Sequence, residues 1–180
     1  ESVKEKIYVK VISPNFNLEY GLTDQEIEKR FRKLIKYSDP DQGKETLFVW
    51  PAGVFSGYSY NEILPFKDLI LNNFSNKHYI VFGVNKLDPI SGKFYNSMLV
   101  INNKLEIIQS YNKRKLVPFG EFLPLESLLR SIGIKTITNN YQSFSKGKKR
   151  DIIEIKKQKF SLKILPLICY EIIYSGKIYE

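Results

Sequence analysis

Cys169 and the carboxylate two residues after it are the first groups in this sequence that could carry covalent chemistry. Cys169 is the only cysteine among 180 residues, and it follows an apolar run that ends at Ile168. A thiol has an ordinary pKa of about 8.5, so it needs a base or a cation nearby to become a nucleophile at neutral pH. Glu171 is a candidate partner. Because a single cysteine is more often a small buried side chain than a nucleophile, the other loops must decide between the two interpretations.

Two further loops follow predicted strands. Residues 111–124 contain Lys113, whose ammonium group could favour a thiolate and then donate to the oxyanion formed when that thiolate attacks a carbonyl carbon. Glu121 could hold this ammonium group in place. The backbone amide of Tyr170, directly after the cysteine, is a candidate second donor to the oxyanion. The other loop begins at residues 50–52 (WPA) and carries no ionisable side chain there.

Alternating strands and helices must bring these loops together. A capping box at Thr23–Glu26 predicts the start of one helix, whose apolar face carries Ile27, Phe31, Leu34 and Ile35. Further helices are predicted over residues 61–74 and 125–132. Apolar and β-branched runs predict strands over residues 6–12, 46–50, 79–84, 94–101, 105–110, 152–155 and 160–168. This order predicts an α/β fold with a mixed sheet, in which loops at one sheet edge could converge.

Composition excludes several classes of protein. One cysteine excludes an internal disulfide framework and a multi-thiolate metal site, and we expect neither a metal nor a cofactor. We expect His78 to be a polar edge residue rather than a base. No run of 18 apolar residues occurs, so nothing in the chain is expected to span a membrane, and we do not expect the first residues to form a signal peptide.

The net charge of +9 could indicate an acidic partner, such as nucleic acid or anionic lipid headgroups. The lysines are spread through the chain, however, and the one dense basic run, Lys146–Arg150, is expected to be a solvated loop. No aromatic–basic motif accompanies the charge, so we expect no nucleic-acid partner.

Three motifs resemble one known family. Residues 116–124 (LVPFGEFLP), the turn 168–171 (ICYE) and the loop 143–147 (SFSKG) resemble the apolipoprotein N-acyltransferase branch of the nitrilase, or carbon–nitrogen hydrolase, superfamily. The resemblance covers nearly the whole chain and implies one nitrilase-like domain over residues 1–180, an α-β-β-α sandwich with mixed sheets. It also implies a Glu-Lys-Cys triad, in which Cys169 matches the nucleophile and Lys113 the lysine. Glu121 and Glu171 match supporting carboxylates.

The resemblance implies a two-step acyl transfer. The cysteine takes an acyl chain from a phospholipid as a thioester, which the α-amino group of a lipoprotein's diacylglyceryl-cysteine then attacks. The implied location is the bacterial inner membrane, with the catalytic domain facing the periplasm and anchored by spans that this chain does not contain. The family's domain continues beyond the Cys-Tyr-Glu turn, so we expect the sandwich to be incomplete at its C-terminus.

Ala52 is the main departure from the family pattern. It falls where the family has the general-base glutamate of a Trp-Pro-Glu sequence, and a methyl group cannot accept a proton. The sequence therefore predicts an inactive or nearly inactive polypeptide, through an engineered change or as a degenerate natural copy. The turn 13–15 (SPN) also differs from the usual Gln-Gly-Asn, although Asn15 matches. Two alternatives stay open: a soluble amidase of the same superfamily, and a non-catalytic module.

Overall fold

A mixed five-stranded sheet forms the centre of the protein in the computed structural model. The structure describes residues 7–17, 19, 21–55, 57–122, 124, 143–156 and 161–177. The strands lie in sequence order, and their bounds are β1 Tyr8–Val11, β2 Thr46–Val49, β3 His78–Leu87, β4 Phe94–Ile101 and β5 Ile107–Asn112. The first three strands are parallel, and two antiparallel hairpins add β4 and β5. Two reversals restore the strand direction, so the carboxyl ends of β2, β3 and β5 lie at one edge.

One face of this sheet is covered by helices. Helix α1, Asp24–Ser38, begins at the predicted capping box, where the Thr23 amide donates to Glu26 Oε2 over 2.7 Å. Its side chains Ile27, Phe31 and Leu34 are fully buried and pack against sheet residues that include Phe48. Because each helical turn returns these residues to the same side, the predicted apolar face is the buried one.

The predicted helix over residues 61–74 is not continuous. It divides into α2 Tyr60–Ile63, a 3₁₀ turn Leu64–Phe66 and α3 Lys67–Leu71. Pro65 lacks the amide hydrogen that a continuous helix would use at this position. In a continuous helix its ring would also clash with the carbonyl group four residues earlier. The single-helix prediction was therefore wrong. The helix predicted over residues 125–132 lies outside the described residues.

The other face of the sheet is covered by the antiparallel hairpin of β6, Ile153–Lys156, and β7, Ser161–Ile164. A second hydrophobic cluster joins this hairpin to the sheet: Leu47, Val81, Val100, Tyr111, Ile153, Ile155 and Ile168. Adjacent residues such as Leu47 and Phe48 belong to opposite clusters, as expected for a strand covered on both sides. These layers confirm the α/β class and three layers of the predicted sandwich.

Two smaller predictions need correction. The last strand ends at Ile164 rather than residue 168, because Pro166 cannot donate a ladder hydrogen bond. His78 is 1% exposed at the amino end of β3, so it is a buried residue and not a polar edge residue. Among the helices that the structure describes, none has the length and apolar character needed to cross a bilayer.

Candidate active site

Ala52 and Lys113 follow strands that end at the same edge of the five-stranded sheet. Ala52 is exposed, and its backbone rests on Gly83 of β3: a Cβ added to that glycine would lie 2.8 Å from Ala52 Cα. Gly83 pairs with Met98, which pairs in turn with Tyr111, two residues before Lys113. The sheet therefore brings the predicted base position and the predicted lysine to one edge.

Lys113 is a buried cation with a carboxylate partner. Its side chain is 2% exposed, and its Nζ donates to Glu121 Oε2 over 2.7 Å. The Lys113 amide donates to the Asn96 carbonyl over 2.9 Å, so the backbone is fixed to β4 as well. Since a buried ammonium group without a partner would be strongly destabilised, this contact explains how the lysine can lie inside the protein. The contact itself is the one that the sequence suggested.

A closed turn orients Glu121. The Glu121 amide donates to the Val117 carbonyl over 2.8 Å, and the Val117 amide donates back to Glu121 Oε2 over 2.9 Å. The other carboxylate oxygen accepts from Asn96 Nδ2 over 2.7 Å. Phe119 has φ 61°, a left-handed conformation that closes the turn. The sequence between Val117 and Glu121 therefore serves to direct one carboxylate at one ammonium group.

Glu171 joins the cysteine turn to the lysine loop. Its side chain is 0% exposed, and its two oxygens accept five hydrogen bonds. The donors are Tyr111 OH at 2.7 Å, the amides of Arg114 at 2.9 Å, Ile168 at 3.0 Å and Lys115 at 3.1 Å, and Arg150 Nη2 at 3.2 Å. Through this single carboxylate, residues 168–171 are held against residues 111–115.

The hydrogen bonds keep Glu171 ionised. Burial alone would raise the pKa of Glu171, but hydrogen bonds from Tyr111 and the three backbone amides stabilise the anion, and the pKa falls below its ordinary 4.5. Burial and the hydrogen bond to Glu171 raise the pKa of Tyr111 to about 12. Tyr111 therefore remains a donor at neutral pH. A carboxylate with five donors is poorly suited to take a proton from a thiol.

Cys169 lies exposed on a tight turn. Its φ is 53°, a conformation that few residues other than glycine adopt, and the Glu171 amide closes the turn on the Ile168 carbonyl over 3.2 Å. Backbone strain of this kind is concentrated at functional sites. Tyr170 follows and is 54% exposed, and the predicted second donor to an oxyanion is its backbone amide.

Three partners in this site were not identified from the sequence: Asn96, Tyr111 and Arg150. Arg150 belongs to the basic run that was expected to be solvated, yet its side chain is 4% exposed and its guanidinium lies 5.8 Å from the Tyr111 ring centroid. That part of the prediction was wrong. The hydrogen bond from Asn96 to Glu121 could not be predicted from the sequence, because it depends on the strand register. The Arg150–Glu171 ion pair could have been predicted only if the packing of these two distant loops had been known.

No cluster that could hold a metal ion, with three or more histidine, cysteine or acidic side chains, occurs in the part of the chain that the structure describes.

Residues 27–179 match the carbon-nitrogen hydrolase family, and the chain belongs to that family. Over 180 residues it is 27% identical to an apolipoprotein N-acyltransferase from Allorhizobium ampelinum, an alignment that covers 96% of this chain and 33% of the relative. It is 42% identical over 85 residues to an apolipoprotein N-acyltransferase from Rhizobium etli, which covers 47% of this chain and 15% of that protein. The chain thus spans about a third of the length of the Allorhizobium relative.

Among solved structures, a glutamine-dependent NAD+ synthetase from Acinetobacter baumannii in complex with adenosine diphosphate is 20% identical. Its TM-score is 0.49, and the match covers 84% of this chain and 26% of that one. The sequence matches confirm the predicted resemblance at the level of the family, with relatives named apolipoprotein N-acyltransferase over most of the chain.

Proposed function

We propose that this chain carries the acyl-transfer site of an apolipoprotein N-acyltransferase, with Cys169 as the nucleophile. The observation that carries the proposal is the buried Lys113–Glu121 pair, 2.7 Å apart, in a loop that Glu171 holds against the cysteine turn. A buried cation in a loop attached to the cysteine turn supplies the kind of positive charge that a cysteine needs for nucleophilic attack on an ester. The names of the relatives support the choice of acyl transfer within the family.

The first step transfers an acyl chain from a phospholipid to the enzyme. The Cys169 thiol loses its proton to a base, and Sγ attacks the ester carbonyl carbon to form a tetrahedral oxyanion. Lys113 and the Tyr170 amide donate to this oxyanion. Collapse breaks the bond to the glycerol oxygen, which takes the proton back from the base and leaves as a lysophospholipid alcohol. An acyl thioester on Cys169 remains.

The second step transfers the acyl chain to the lipoprotein. The α-amino group of a diacylglyceryl-cysteine attacks the thioester carbon, and the amine proton is removed as the new amide bond forms. The carbon–sulfur bond breaks, and the Cys169 thiol is regenerated. Glu121 holds the lysine ammonium group in place through both steps, without itself exchanging a proton.

Ala52 leaves the proposed mechanism without its general base. Its methyl group stands at the common sheet edge, and its side chain can neither accept the thiol proton nor return it. Loss of a general base typically reduces a rate by about 10²–10⁴-fold. We therefore expect this chain to be nearly inactive as an acyltransferase, and the same observation favours a second candidate, a non-catalytic copy of the domain.

The proposed substrates place the site at a membrane surface. The acyl donor is a phospholipid and the acceptor is a diacylglyceryl-modified lipoprotein, and both are held in a bilayer. The proposed location is the periplasmic face of the bacterial inner membrane. The net charge of +9 suits anionic headgroups at such a surface.

The test is restoration of the base. The parent chain, Ala52→Glu and the matched control Ala52→Gln are each incubated with phospholipid vesicles, and Cys169 is examined by intact-protein mass spectrometry. We expect one added acyl chain in Ala52→Glu and little in the other two, because glutamine has the same shape but cannot accept the proton. Ala52→Glu combined with Cys169→Ala should give no adduct.

Release of the acyl chain by a synthetic diacylglyceryl-cysteine peptide then tests the second step. Equal acylation of the parent and Ala52→Glu would show that the base assignment is wrong. An absence of any adduct in Ala52→Glu, in a protein that binds vesicles, would refute acyl transfer at Cys169 and leave the non-catalytic copy as the better interpretation.

A further inference from the structure

Arg30 is a charged residue on the buried face of helix α1. It shares that face with Ile27 and Phe31 and is 6% exposed, whereas the Arg32 side chain is 63% exposed. Because a buried guanidinium group loses its hydration, the protein must provide it with acceptors. We propose that Arg30 is a positioning residue for the loop that carries the predicted base position, Ala52. This assignment rests on the proposed function.

The guanidinium group of Arg30 joins two loops. Its Nη1 donates to the Val54 carbonyl over 3.1 Å, and its Nη2 donates to the Asn17 carbonyl over 3.0 Å. Val54 follows β2 and Asn17 follows β1, and since these strands are parallel, both loops leave the same edge of the sheet. A guanidinium group is planar and rigid, so its two terminal nitrogens fix the two loops relative to each other.

Ala52 lies midway between two attached points of the loop after β2. The Trp50 amide donates to the Val81 carbonyl over 2.8 Å, which attaches the start of the loop to the sheet. Arg30 holds Val54, two residues beyond Ala52, and the Val54 side chain is buried in the core. Because Ala52 itself is exposed, the direction of a side chain at this position depends on the backbone on either side of it.

The surroundings of the guanidinium group give it a fixed orientation. Its central carbon lies 4.9 Å from the Phe16 ring centroid, within the range of a cation–π contact. Glu19 accepts from Nη2 over 3.3 Å, but the Glu19 side chain is 53% exposed, and an ion pair with so exposed a partner contributes little. The two loop carbonyls are therefore the contacts through which Arg30 acts on the backbone.

Stability and positioning can be separated at this residue. Replacing a buried charged group by an apolar side chain of similar volume is often neutral or stabilising. We therefore expect Arg30→Met to leave the urea midpoint of unfolding unchanged or raised, although the loop loses its hydrogen bond at Val54. Arg30→Lys keeps the charge, but a single ammonium group cannot reproduce the planar fork that joins both carbonyls.

The direct test measures acylation in the Ala52→Glu background. Arg30→Met, Arg30→Lys and the matched control Arg32→Met are each added to Ala52→Glu, and the rate of acyl transfer from phospholipid vesicles to Cys169 is followed by intact-protein mass spectrometry. We expect both Arg30 variants to slow acylation at saturating phospholipid by about 10–100-fold, because small displacements of a reacting group are costly. The half-saturating phospholipid concentration should not change. The control should stay within about twofold, since Arg32 is exposed.

A second measurement does not depend on acyl transfer. The rate of Cys169 alkylation by iodoacetamide reports the ionisation of the thiol, so its pH profile should differ between the parent and Ala52→Glu. We expect Arg30→Met to abolish that difference in the Ala52→Glu background. In the parent, Arg30→Met should leave the profile unchanged, because no carboxylate is present there to be misplaced. A residue that merely maintains the fold would alter the parent as well.

The two measurements distinguish the possible failures. If Ala52→Glu acylates at the same rate with arginine, methionine or lysine at position 30, the proposed function survives and the positioning role is overturned. If no adduct forms but the Arg30 variants abolish the difference in alkylation, acyl transfer is refuted and the positioning role is supported. If Arg30→Met lowers the urea midpoint, Arg30→Lys decides, and normal acylation in that variant would overturn the role.

Discussion

Glu171 shows how a single side chain can assemble a site from distant parts of a chain. Its neighbours in sequence are the cysteine turn, but its donors Tyr111, Arg114 and Lys115 lie about 60 positions earlier, and Arg150 lies 21 positions earlier. Five donors around one buried carboxylate offset the desolvation that burial costs. The consequence is a geometry in which the cysteine turn cannot move independently of the lysine loop.

Glu171→Gln should destabilise the protein by about 3–5 kcal/mol, because it removes one partner of a buried ion pair. The Arg150 side chain, 4% exposed, would lose its counter-charge, and the amide group of glutamine would turn a donor towards another donor. The measurement is the free energy of unfolding from urea titration at pH 7. The control is Asp151→Asn, which breaks the exposed pair with Lys149 and should change stability by less than about 0.5 kcal/mol.

At the scale of elements, the sequence predicted strand and helix positions well where burial decides them. The run Thr46–Val49 is buried on both faces and was identified from its apolar content. Strand β3 extends to Leu87, past the predicted end at residue 84, because Leu87 pairs with Phe94 across the hairpin and polar residues are tolerated there. Such pairing depends on a partner strand, and local composition does not reveal it. Pro65 and Pro166 mark the two places where a predicted helix or strand was too long.

Gly83 lets the loop after β2, which carries Ala52, lie close against the sheet, and Gly83→Ala should therefore disturb both the loop and the sheet. The added Cβ would lie 2.8 Å from Ala52 Cα and closer still to the Ala52 carbonyl oxygen, and this backbone cannot withdraw without moving the loop. Overpacking of this kind typically costs about 1–3 kcal/mol. We expect a lower urea midpoint and faster hydrogen exchange in the loop after β2.

The matched control for that substitution is Gly43→Ala. Its added Cβ would lie 3.2 Å from Asp41 Oδ1, the end of a flexible side chain that can rotate away, so the urea midpoint should change little. A Gly83→Ala protein as stable as Gly43→Ala, with unchanged exchange after β2, would contradict the role given to Gly83.

At the scale of the whole molecule, the two edges of the sheet carry different kinds of residue. The carboxyl ends of β2 and β5 carry Ala52 and Lys113, whereas His78 lies at the amino end of β3 among aromatic side chains. Sequence reasoning identified the residues at the first end through their motifs. It could not identify Arg150 or Asn96 there, since their contacts depend on how loops and strands from different layers meet.

His78 should make the stability of the whole molecule fall as the pH falls below about 7. Burial lowers the pKa of His78 below its ordinary 6.5, although the hydrogen bond to the Asp41 backbone and the charges of Glu45 and Asp41 oppose this shift. The Ser75 amide donates to His78 Nδ1 over 3.0 Å, so Nδ1 is an acceptor and a second ring proton would abolish that contact. Folding therefore favours the neutral ring.

The direction of this pH dependence follows from the number of protons that the folded and unfolded states bind. Well above pH 6.5 the ring is neutral in both states and the contribution is fully present. Below it the unfolded chain binds a proton before the folded one does, so the free energy of unfolding falls as pH falls towards the folded-state pKa, with a slope of at most about 1.4 kcal/mol per pH unit. His78 is the only histidine in the chain. Urea titrations at pH 7.5, 6.5 and 5.5 should show this decline in the parent and lose it in His78→Gln. An equal decline in both proteins would assign the pH dependence to other groups and contradict the neutral buried ring.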